Sequence, residues 1–273
     1  MTIRTPIMNV MTAAARKAAR SLRRDFGEVE ALQVSKKGPA DFVSAADERV
    51  EHVLFAELSR ARPSYGFLME ERGAVEGADK AHRFIVDPLD GTTNFLHGIP
   101  HFAISIALER EGQLIAGVVF APFTDEMFIA EKGQGAWLNE RRLRVSARGT
   151  LAESVVATGV PFKGRPGHDL FRAELSALTE EIAGIRRFGS AALDLAWVAA
   201  GRFDGFWERN LSPWDVAAGI VLVREAGGYV SDLAGKEARA DHSSILAANP
   251  ALHPQLLERL ASAGRLTQHS AKT

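Results

Sequence analysis

Two helix-like stretches and several strand-like ones follow one another in the first half of the chain. Apolar residues recur every three or four positions over residues 7–26 and again over residues 45–60, a spacing that predicts two amphipathic helices. Short apolar runs at residues 65–69 and 84–86 predict strands, and Gly38-Pro39-Ala40-Asp41 predicts a turn. Three further strand-like runs come next: Phe102–Leu108, Leu114–Phe120 and Glu126–Ala130. Turn residues separate these runs, which is typical of an antiparallel strand meander.

The pattern changes near residue 150, after which strand-like and helix-like stretches alternate. The predicted strands are Ser154–Thr158, Phe203–Trp207, Gly228–Val230 and Ile245–Ala248. The predicted helices are residues 168–183, 191–200, 214–226 and 252–263. Because such alternation indicates an α/β arrangement, we expect an N-terminal α+β half over residues 1–150 and a C-terminal α/β half over residues 151–273. We expect the tail from Arg265 to be frayed.

The composition is that of an ordinary globular protein. With 273 residues, 46% of them hydrophobic and 25% charged, the chain can form one large domain or two smaller ones. The 33 Lys and Arg residues nearly balance 34 Asp and Glu residues, so no global field favours nucleic acid or an acidic membrane surface. The chain has no cysteine, which excludes disulfides, thiolate zinc sites and cysteine nucleophiles. With no apolar run near the ~20 residues that span a bilayer and no signal-peptide pattern, we expect a cytoplasmic protein without a membrane partner.

The segment Phe84–Phe95 is the richest part of the chain in candidate functional groups. Its apolar start predicts a buried strand ending at Val86, and Asp87 and Asp90 then place two carboxylates in a predicted loop at the strand's carboxyl end. Gly91-Thr92-Thr93 adds backbone N–H groups and hydroxyls that could bind an anion. Carboxylates alone would repel a phosphate, so a site with both features suggests a divalent metal ion between them.

Further acids lie where predicted elements begin or end. Glu70 and Glu71 follow the strand at residues 65–69, Asp215 lies in the first turn of a predicted helix, and Asp47 lies in the first turn of another. Each has a plain structural interpretation: Asp215 as a helix cap, Asp87 in an Asx-turn, and the others as exposed acids. Together they are what a metal site assembled from distant segments would need.

Other catalytic arrangements are missing from the sequence. No Gly-x-Ser-x-Gly elbow and no glycine-rich nucleotide loop occurs. His97 and His101 are four residues apart, but Gly98 and Pro100 between them argue against one helical face. We therefore assign both histidines to loop packing.

Two long signatures resemble those of the inositol monophosphatase family. Ile85–Phe95 is similar to the first signature, and Trp214–Gly219 followed by Glu225–Gly228 is similar to the second. The Glu70-Glu71 pair and the segment from Lys36 to Asp47 match in order and spacing, and the resemblance extends over about residues 7–260. The Arg186-Arg187-Phe188-Gly189 segment is most like the bacterial SuhB-type branch. The resemblance implies a five-layered αβαβα sandwich, usually a homodimer, that hydrolyses phosphomonoesters with Mg²⁺ and is inhibited by lithium.

The resemblance also implies roles for individual residues. The implied metal ligands, for two or three Mg²⁺ ions, are Glu70, Asp87, the Leu89 carbonyl, Asp90 and Asp215. Glu70 would position the attacking water, and Thr92 paired with Asp47 would help to polarise it. The implied substrate-binding residues are Glu70, Leu89, Asp90, Gly91, Thr92, Thr93, Gly189, Ser190, Ala191, Glu208 and Asp215. Of these, residues 189–191 and Glu208 match positions that contact the inositol ring, and Ser190 replaces the threonine of many members.

These expectations give a leading function and two alternatives. We expect hydrolysis of myo-inositol 1-phosphate and similar polyol phosphates. The signatures do not separate this activity from hydrolysis of fructose 1,6-bisphosphate, histidinol phosphate or a nucleotide 3′-phosphate, although Glu208 would repel a second phosphate. The other alternative is an accessory role with an RNA polymerase or transcription complex, for which the candidate basic surfaces are Arg141, Arg142, Arg144, Arg148, Arg186 and Arg187. Solvated loop charge is the plain interpretation of those arginines.

Overall fold

The structure is a computed structural model that describes residues 5–28, 34–38 and 41–270, with backbone alone for residues 34–38, 41–44 and 265–270. Pro39 and Ala40 of the predicted turn, and the last three residues of the tail, lie outside the described residues. The helices are α1 (Pro6–Phe26), α2 (Ala45–Ala61), α3 (Thr92–Leu96), α4 (His168–Thr179), α5 (Ala191–Ala199), α6 (Pro213–Glu225) and α7 (His253–Ser270). None of the helices in these ranges is both long and apolar enough to cross a bilayer.

The described residues also form fifteen strands and a short 3-10 helix at Leu151–Glu153. Those before residue 150 are β1 (Val34–Gly38), β2 (Asp41–Ser44), β3 (Tyr65–Met69), β4 (Gly73–Val75), β5 (Asp79–Asp90), β6 (Ala103–Arg110), β7 (Gln113–Ala121), β8 (Glu126–Glu131), β9 (Gly135–Leu138) and β10 (Arg141–Arg142). Those after it are β11 (Val155–Thr158), β12 (Gly184–Arg186), β13 (Gly205–Arg209), β14 (Tyr229–Ser231) and β15 (Ser244–Ala248).

The larger sheet has the strand order β10-β9-β8-β7-β6-β5-β3-β4. Strands β5 to β10 pair antiparallel in sequence order, which confirms the predicted meander. β3 joins β5 in parallel, with Met69 opposite Val86, so both strands run toward the same edge of the sheet. This pairing brings Glu70, which follows β3, next to the end of β5.

The smaller sheet has the order β12-β11-β13-β15-β14 and mixes parallel and antiparallel pairs. β11 lies parallel to β12 and β13, whereas β15 runs antiparallel to its two neighbours. The carboxyl ends of β11 and β13 therefore meet at one edge, where Thr158 pairs with Trp207.

Helices and sheets alternate in five layers, and the predicted αβαβα sandwich is confirmed. The apolar sides of α1 and α2 cover one face of the larger sheet, with Leu22, Leu54 and Phe84 fully buried. Helices α5 and α6, rich in alanine, fill the space between the two sheets. Helices α4 and α7 cover the outer face of the smaller sheet, where Leu178 and Leu256 pack with Trp207.

Several predicted boundaries need correction. β5 does not end at Val86 but continues through Asp90, with a register shift against β6 between Asp87 and Asp90. Thus the two signature carboxylates flank an irregularity of a strand and not a free loop. α4 ends at Thr179, because the following residues turn into β12, a strand that the pattern did not predict. α7 continues to Ser270, past the expected frayed start.

Candidate active site

A cavity of about 220 Å³ lies where the two sheets and the middle helix layer meet. Its walls come from the end of β5, the start of α3, the starts of α5 and α6, and the ends of β11 and β13. The sequence-predicted residues that line it are Glu70, Asp90, Gly91, Thr92, Thr93, Gly189, Ala191, Glu208 and Asp215. Those that lie behind its wall are Asp47, Asp87, Leu89 and Ser190, each at most 2% exposed.

Asp90 is held by the start of α5. Its Oδ2 atom accepts hydrogen bonds from Ser190 Oγ at 2.6 Å and from the backbone N of Ala192 at 2.7 Å. Ser190 is the N-cap of α5, so one helix start orients this carboxylate. Burial raises the pKa of Asp90 to about 6, although the hydrogen bonds from Ser190 and the backbone oppose the shift.

Asp87 and Leu89 form a tight local arrangement inside the wall. Asp87 Oδ1 accepts a hydrogen bond from the backbone N of Leu89 at 2.9 Å, and the Leu89 carbonyl oxygen accepts one from Thr92 Oγ1 at 3.0 Å. The hydroxyl proton of Thr92 is thus directed at Leu89 and not at Asp47. The pairing of Thr92 with Asp47 stays a prediction.

Asp215 caps the start of α6 and also lines the cavity. Its Oδ2 atom accepts a hydrogen bond from the backbone N of Ser212 at 2.7 Å, as expected for an acid in the first turn of α6. Glu70 lines the same cavity, whereas the backbone N of Glu71 donates to Glu51 at 2.8 Å. The structure therefore brings Glu70, and not Glu71, to the cavity.

The turn into α3 requires glycine at position 91. Gly91 has φ +97°, and a Cβ atom there would lie 3.0 Å from the carbonyl oxygen of His101. This conformation lets the chain turn from β5 directly into Thr92 and Thr93, which both face the cavity. Backbone N–H groups at the start of a helix, together with two hydroxyls, suit the oxygens of a phosphoryl group.

The carboxylates at the cavity repel one another. Burial raises the pKa of Asp87 well above its ordinary value, and the nearby charges of Glu70, Asp90, Asp215 and Asp47 raise it further. Burial also raises the pKa of Asp215, with Asp90, Glu70 and Glu208 adding to the effect. In the parts of the chain that the structure describes, no three Asp, Glu or His side chains are arranged so that they could hold a metal ion as they stand.

Glu208, near the end of β13, lines the same cavity. Its carboxylate packs directly on Gly159, where an added Cβ atom would come within 1.8 Å of a carboxylate oxygen. Burial and the charge of Asp90 raise the pKa of Glu208 to about 8, against the effect of Arg187. This part of the cavity thus offers a hydrogen-bonding acid beside a cation.

Two polar residues in this region were missed in the sequence. Asp194, in α5, is 1% exposed, and one of its oxygens has no hydrogen-bond partner among the described residues. Burial raises its pKa, and the charges of Glu208 and Asp90 add to the shift while Arg187 opposes it. An acid within an otherwise apolar helix was the signal for Asp194. Arg187, considered only as a surface charge, lines the cavity.

The prediction of loop packing agrees with the geometry for His101 and not for His97. His97 caps the end of α3 and is exposed, while the His101 ring packs against Phe188 and Trp197 at centroid distances of 5.1 and 5.3 Å. Burial lowers the pKa of His101 to about 4, which keeps the ring neutral.

Comparison with known proteins identifies the family. The model of the inositol monophosphatase family matches residues 4–265. The chain belongs to the inositol monophosphatase family. It is 60% identical over 255 residues to an inositol-1-monophosphatase of Mesorhizobium japonicum, covering 93% of this chain and 96% of the relative. It is 43% identical over 255 residues to Nus factor SuhB of Escherichia coli strain K12, with the same coverage of 93% and 96%.

A solved structure gives the same result. The crystal structure of extragenic suppressor protein suhB from Bartonella henselae superposes with a TM-score of 0.92 at 58% identity, covering 94% of this chain and 98% of that one. The predicted SuhB-type resemblance is thereby confirmed. Since this is a family of phosphatases, the chain is a phosphoric monoester hydrolase.

The donor set at the cavity fits the metal dependence of the family. The groups that could bind an ion there are carboxylates, which are the ligands that Mg²⁺ prefers. Asp87, Asp90 and Asp215 each use one oxygen for hydrogen bonds to the protein, so the second oxygen is held in a defined direction. Their mutual repulsion is what a divalent cation would relieve.

Proposed function

We propose that this enzyme hydrolyses myo-inositol 1-phosphate and similar polyol phosphates, and that it uses Mg²⁺ to do so. The observation that carries the proposal is one cavity with three kinds of group. Repelling carboxylates, the hydroxyls of Thr92 and Thr93, and the acid Glu208 all line it. The relatives named inositol-1-monophosphatase at 57–60% identity support the substrate class.

The residues proposed to hold two or three Mg²⁺ ions are Glu70, Asp87, the Leu89 carbonyl, Asp90 and Asp215. When bound, Mg²⁺ neutralises the charge of the phosphate, lowers the pKa of water and stabilises the leaving oxygen. Because the carboxylates do not form a ready site as they stand, we expect them to move together on binding the ion. Lithium sensitivity belongs to the same proposal.

The remaining groups position the reacting atoms. Gly91, Thr92 and Thr93 are proposed to bind the phosphoryl oxygens through backbone N–H groups and hydroxyls. Glu70 is proposed to accept a hydrogen bond from the attacking water and so to orient it for in-line attack. Asp47 is proposed to act behind the wall, through Thr92, as a positioning residue.

Glu208 is proposed to select the alcohol part of the substrate. A carboxyl group accepts hydrogen bonds from the hydroxyls of a polyol. Gly189 and Ala191 line the same cavity, and Ser190 is buried behind its wall. A second phosphate next to Glu208 would lie close to the charge of Asp90 and, above about pH 8, to that of Glu208 itself, which argues against a bisphosphate.

A substrate panel tests the proposal. We expect myo-inositol 1-phosphate to give the highest kcat/KM among inositol 1-phosphate, fructose 1,6-bisphosphate, histidinol phosphate and a nucleoside 3′-phosphate, with activity lost in chelator and restored by Mg²⁺. Preference for one of the other three by tenfold or more would overturn the substrate assignment. Activity unchanged by chelation would overturn the metal assignment.

A second candidate function is a binding role in a transcription complex. It is favoured by the 43% identity to proteins named Nus factor SuhB and by Arg141, Arg142 and Arg144 at the exposed edge strand β10 and just after it. Arg148 fits less well, because it pairs with the buried Asp204 at 3.0 Å. Salt-sensitive co-purification with RNA polymerase, lost in an Arg141→Glu, Arg142→Glu, Arg144→Glu variant and kept in Asp90→Asn, would support it. Co-purification that is unaffected by the triple change would exclude this surface.

We also propose that the enzyme is a cytoplasmic homodimer. Phe188 and Ile99 are 37% and 47% exposed beside the packed rings of His101 and Trp197, which leaves apolar surface that a second copy could cover. Light scattering should give twice the chain mass, and a Phe188→Asp variant should shift it toward the monomer. A monomer at micromolar concentration would contradict the proposal.

A further inference from the structure

Asn94 joins two segments that are far apart in sequence. It lies in α3, is 5% exposed, and its Nδ2 atom donates hydrogen bonds to the carbonyl oxygens of Phe188 at 2.7 Å and His101 at 2.8 Å. Both amide hydrogens are therefore used. The side chain does not line the cavity.

The bond to Phe188 connects Asn94 with Asp90 through residues 188–190. Phe188 is followed by Gly189, which has φ +82°, and by Ser190, whose hydroxyl holds Asp90 at 2.6 Å. The position of the Phe188 carbonyl therefore sets where the start of α5 lies. That start in turn fixes the direction of the Asp90 carboxylate.

The bond to His101 connects Asn94 with the turn at Gly91–Thr93, which is proposed to bind the phosphate. The His101 carbonyl oxygen packs against Gly91, at 3.0 Å from the point where a Cβ atom would stand. The hydrogen bond from Asn94 therefore holds this carbonyl in contact with the turn from which α3 starts. One buried amide thus connects the backbone around Asp90 with the backbone around Gly91.

We propose that Asn94 is a positioning residue for hydrolysis: it holds the phosphate-facing turn at Gly91–Thr93 in register with the turn at 188–190 that orients Asp90. This inference rests on the proposed function of the cavity. Asn94 touches neither substrate nor ion, so it acts through Ser190 and Asp90.

The chemistry of the position requires an amide. Two carbonyl oxygens converge on one side chain, so the residue must donate twice from one nitrogen. An aspartate of the same shape would place an acceptor against two acceptors, and an alanine would leave two buried carbonyls without their donor.

Asn249 provides a matched control. It is 3% exposed, and its Nδ2 atom also bonds two groups of a distant segment, Arg148 O at 2.8 Å and Ser146 Oγ at 3.2 Å. It lies in the turn just before α7 and does not line the cavity. Asn94→Ala and Asn249→Ala should both lower Tm, since each removes buried hydrogen bonds. The control removes at least as many, because Asn249 Oδ1 also accepts hydrogen bonds from the backbone N of Ala251 and Leu252 at 2.9 Å.

The two variants should differ in kinetics at a temperature where circular dichroism shows both folded. We expect Asn94→Ala to lower kcat by about tenfold or more, since a misplacement of reacting groups by about 1 Å can cost a hundredfold. Asn249→Ala should change kcat less than twofold. Equal effects of the two variants on kcat would overturn the inference.

A double-mutant cycle tests the route through Ser190. In a Ser190→Ala background, where Asp90 has lost the hydroxyl bond, Asn94→Ala should cost less than threefold in kcat. Fully additive losses would show that Asn94 does not act through this contact. The cycle is run with both myo-inositol 1-phosphate and p-nitrophenyl phosphate, so a failure of the substrate assignment leaves the cycle measurable.

A measurement without turnover separates this inference from the proposed function. Hydrogen–deuterium exchange of the peptide covering residues 188–192 should speed up at least fivefold in Asn94→Ala and stay unchanged in Asn249→Ala. Unchanged exchange in Asn94→Ala would overturn the inference, whatever the enzyme hydrolyses.

Discussion

Several buried acids away from the cavity are paired with arginine, whereas Asp87 and Asp215 at the cavity are influenced mainly by burial and by other acids. Asp25, which is 4% exposed, lies 2.6 Å from Arg49, and Glu174, which is 1% exposed, lies 2.7 Å from Arg209. Asp204 accepts hydrogen bonds both from Arg148 and from the backbone N of Val155 at 2.7 Å. These acids have their charge balanced within the protein.

At the cavity, the charges that act on Asp87 and Asp215 come from other acids. Glu70, Asp90, Asp215 and Asp47 all act on Asp87, and their charges raise its pKa. Arg187 opposes the shifts of Glu208 and Asp194 alone. The comparison shows where buried acids lie close to one another, and that is where a cation from solution would have most to contribute.

The largest expected effect comes from Asp90→Asn. Removing this charge should lower kcat by about a hundredfold or more, since changes even to partners of metal ligands cost 10- to 100-fold. The matched change, Asp204→Asn, removes a buried charge outside the cavity and should leave kcat within twofold. Steady-state kinetics in saturating Mg²⁺ measures both. Near-normal turnover of Asp90→Asn would remove Asp90 from the site.

The effects on stability should have the opposite order, with a larger loss for a change at Asp204 than for a change at Asp90. Asp204→Ala leaves the backbone N of Val155 without its acceptor, so the free energy of unfolding should fall by about 1–3 kcal/mol. Asp90→Asn should not lower it in the absence of metal, because a repelling charge is lost. Urea unfolding of both variants measures the two changes. A larger loss of the free energy of unfolding in Asp90→Asn than in Asp204→Ala would contradict this prediction.

Glu208→Gln should act mainly on substrate binding. Above about pH 8, where Glu208 is ionised, we expect KM for myo-inositol 1-phosphate to rise about tenfold, because a hydrogen bond to a charged group contributes roughly 1.5–3 kcal/mol. The KM for p-nitrophenyl phosphate, which carries no polyol, serves as the control and should change little. If kcat for both substrates is abolished, Glu208 belongs to the chemistry and not to recognition.

The pH dependence of stability follows from the raised pKa values. Asp90 near 6 and Glu208 near 8 lie above the unfolded values of about 4, so the folded state binds protons more tightly. Without metal, stability should therefore fall as pH rises from about 4 to about 8. Mg²⁺ competes with these protons, so it should raise Tm by more at pH 8 than at pH 5. Calorimetry that shows the same Mg²⁺ shift at both pH values would contradict this.

The smallest effect is expected for Asp194→Asn. Because burial raises the pKa of Asp194, the neutral amide should replace it with less than a threefold change in kcat. Thermal unfolding at pH 8 should show a modest gain in stability, since a charge no longer has to be buried. A tenfold loss of kcat would instead make Asp194 part of substrate recognition.

The sequence predicted what depends on local pattern and on long signatures. The amphipathic helices at residues 7–26 and 45–60, the meander and the layered sandwich follow from periodicity and resemblance, and all are confirmed. The placement of Glu70 instead of Glu71 at the cavity also agrees with the resemblance.

What the sequence did not predict depends on contacts between distant segments. Asn94 lies in a signature, but one of its partners is a backbone carbonyl 94 positions away, which leaves no trace in residue type. Arg187 looked like one of many surface arginines, because only the folded chain turns it to the cavity. The continuation of β5 through Asp90 depends on its pairing with Ala103 of β6.

Anomalous diffraction from crystals grown with Mn²⁺ tests the central claim most directly. If Glu70, Asp87, Asp90 and Asp215 share divalent ions, anomalous peaks should lie in the cavity within about 2.0–2.4 Å of oxygens of Asp90 and Asp215. Ion peaks only elsewhere on the molecule, in crystals of enzyme that is active with Mn²⁺, would contradict the account.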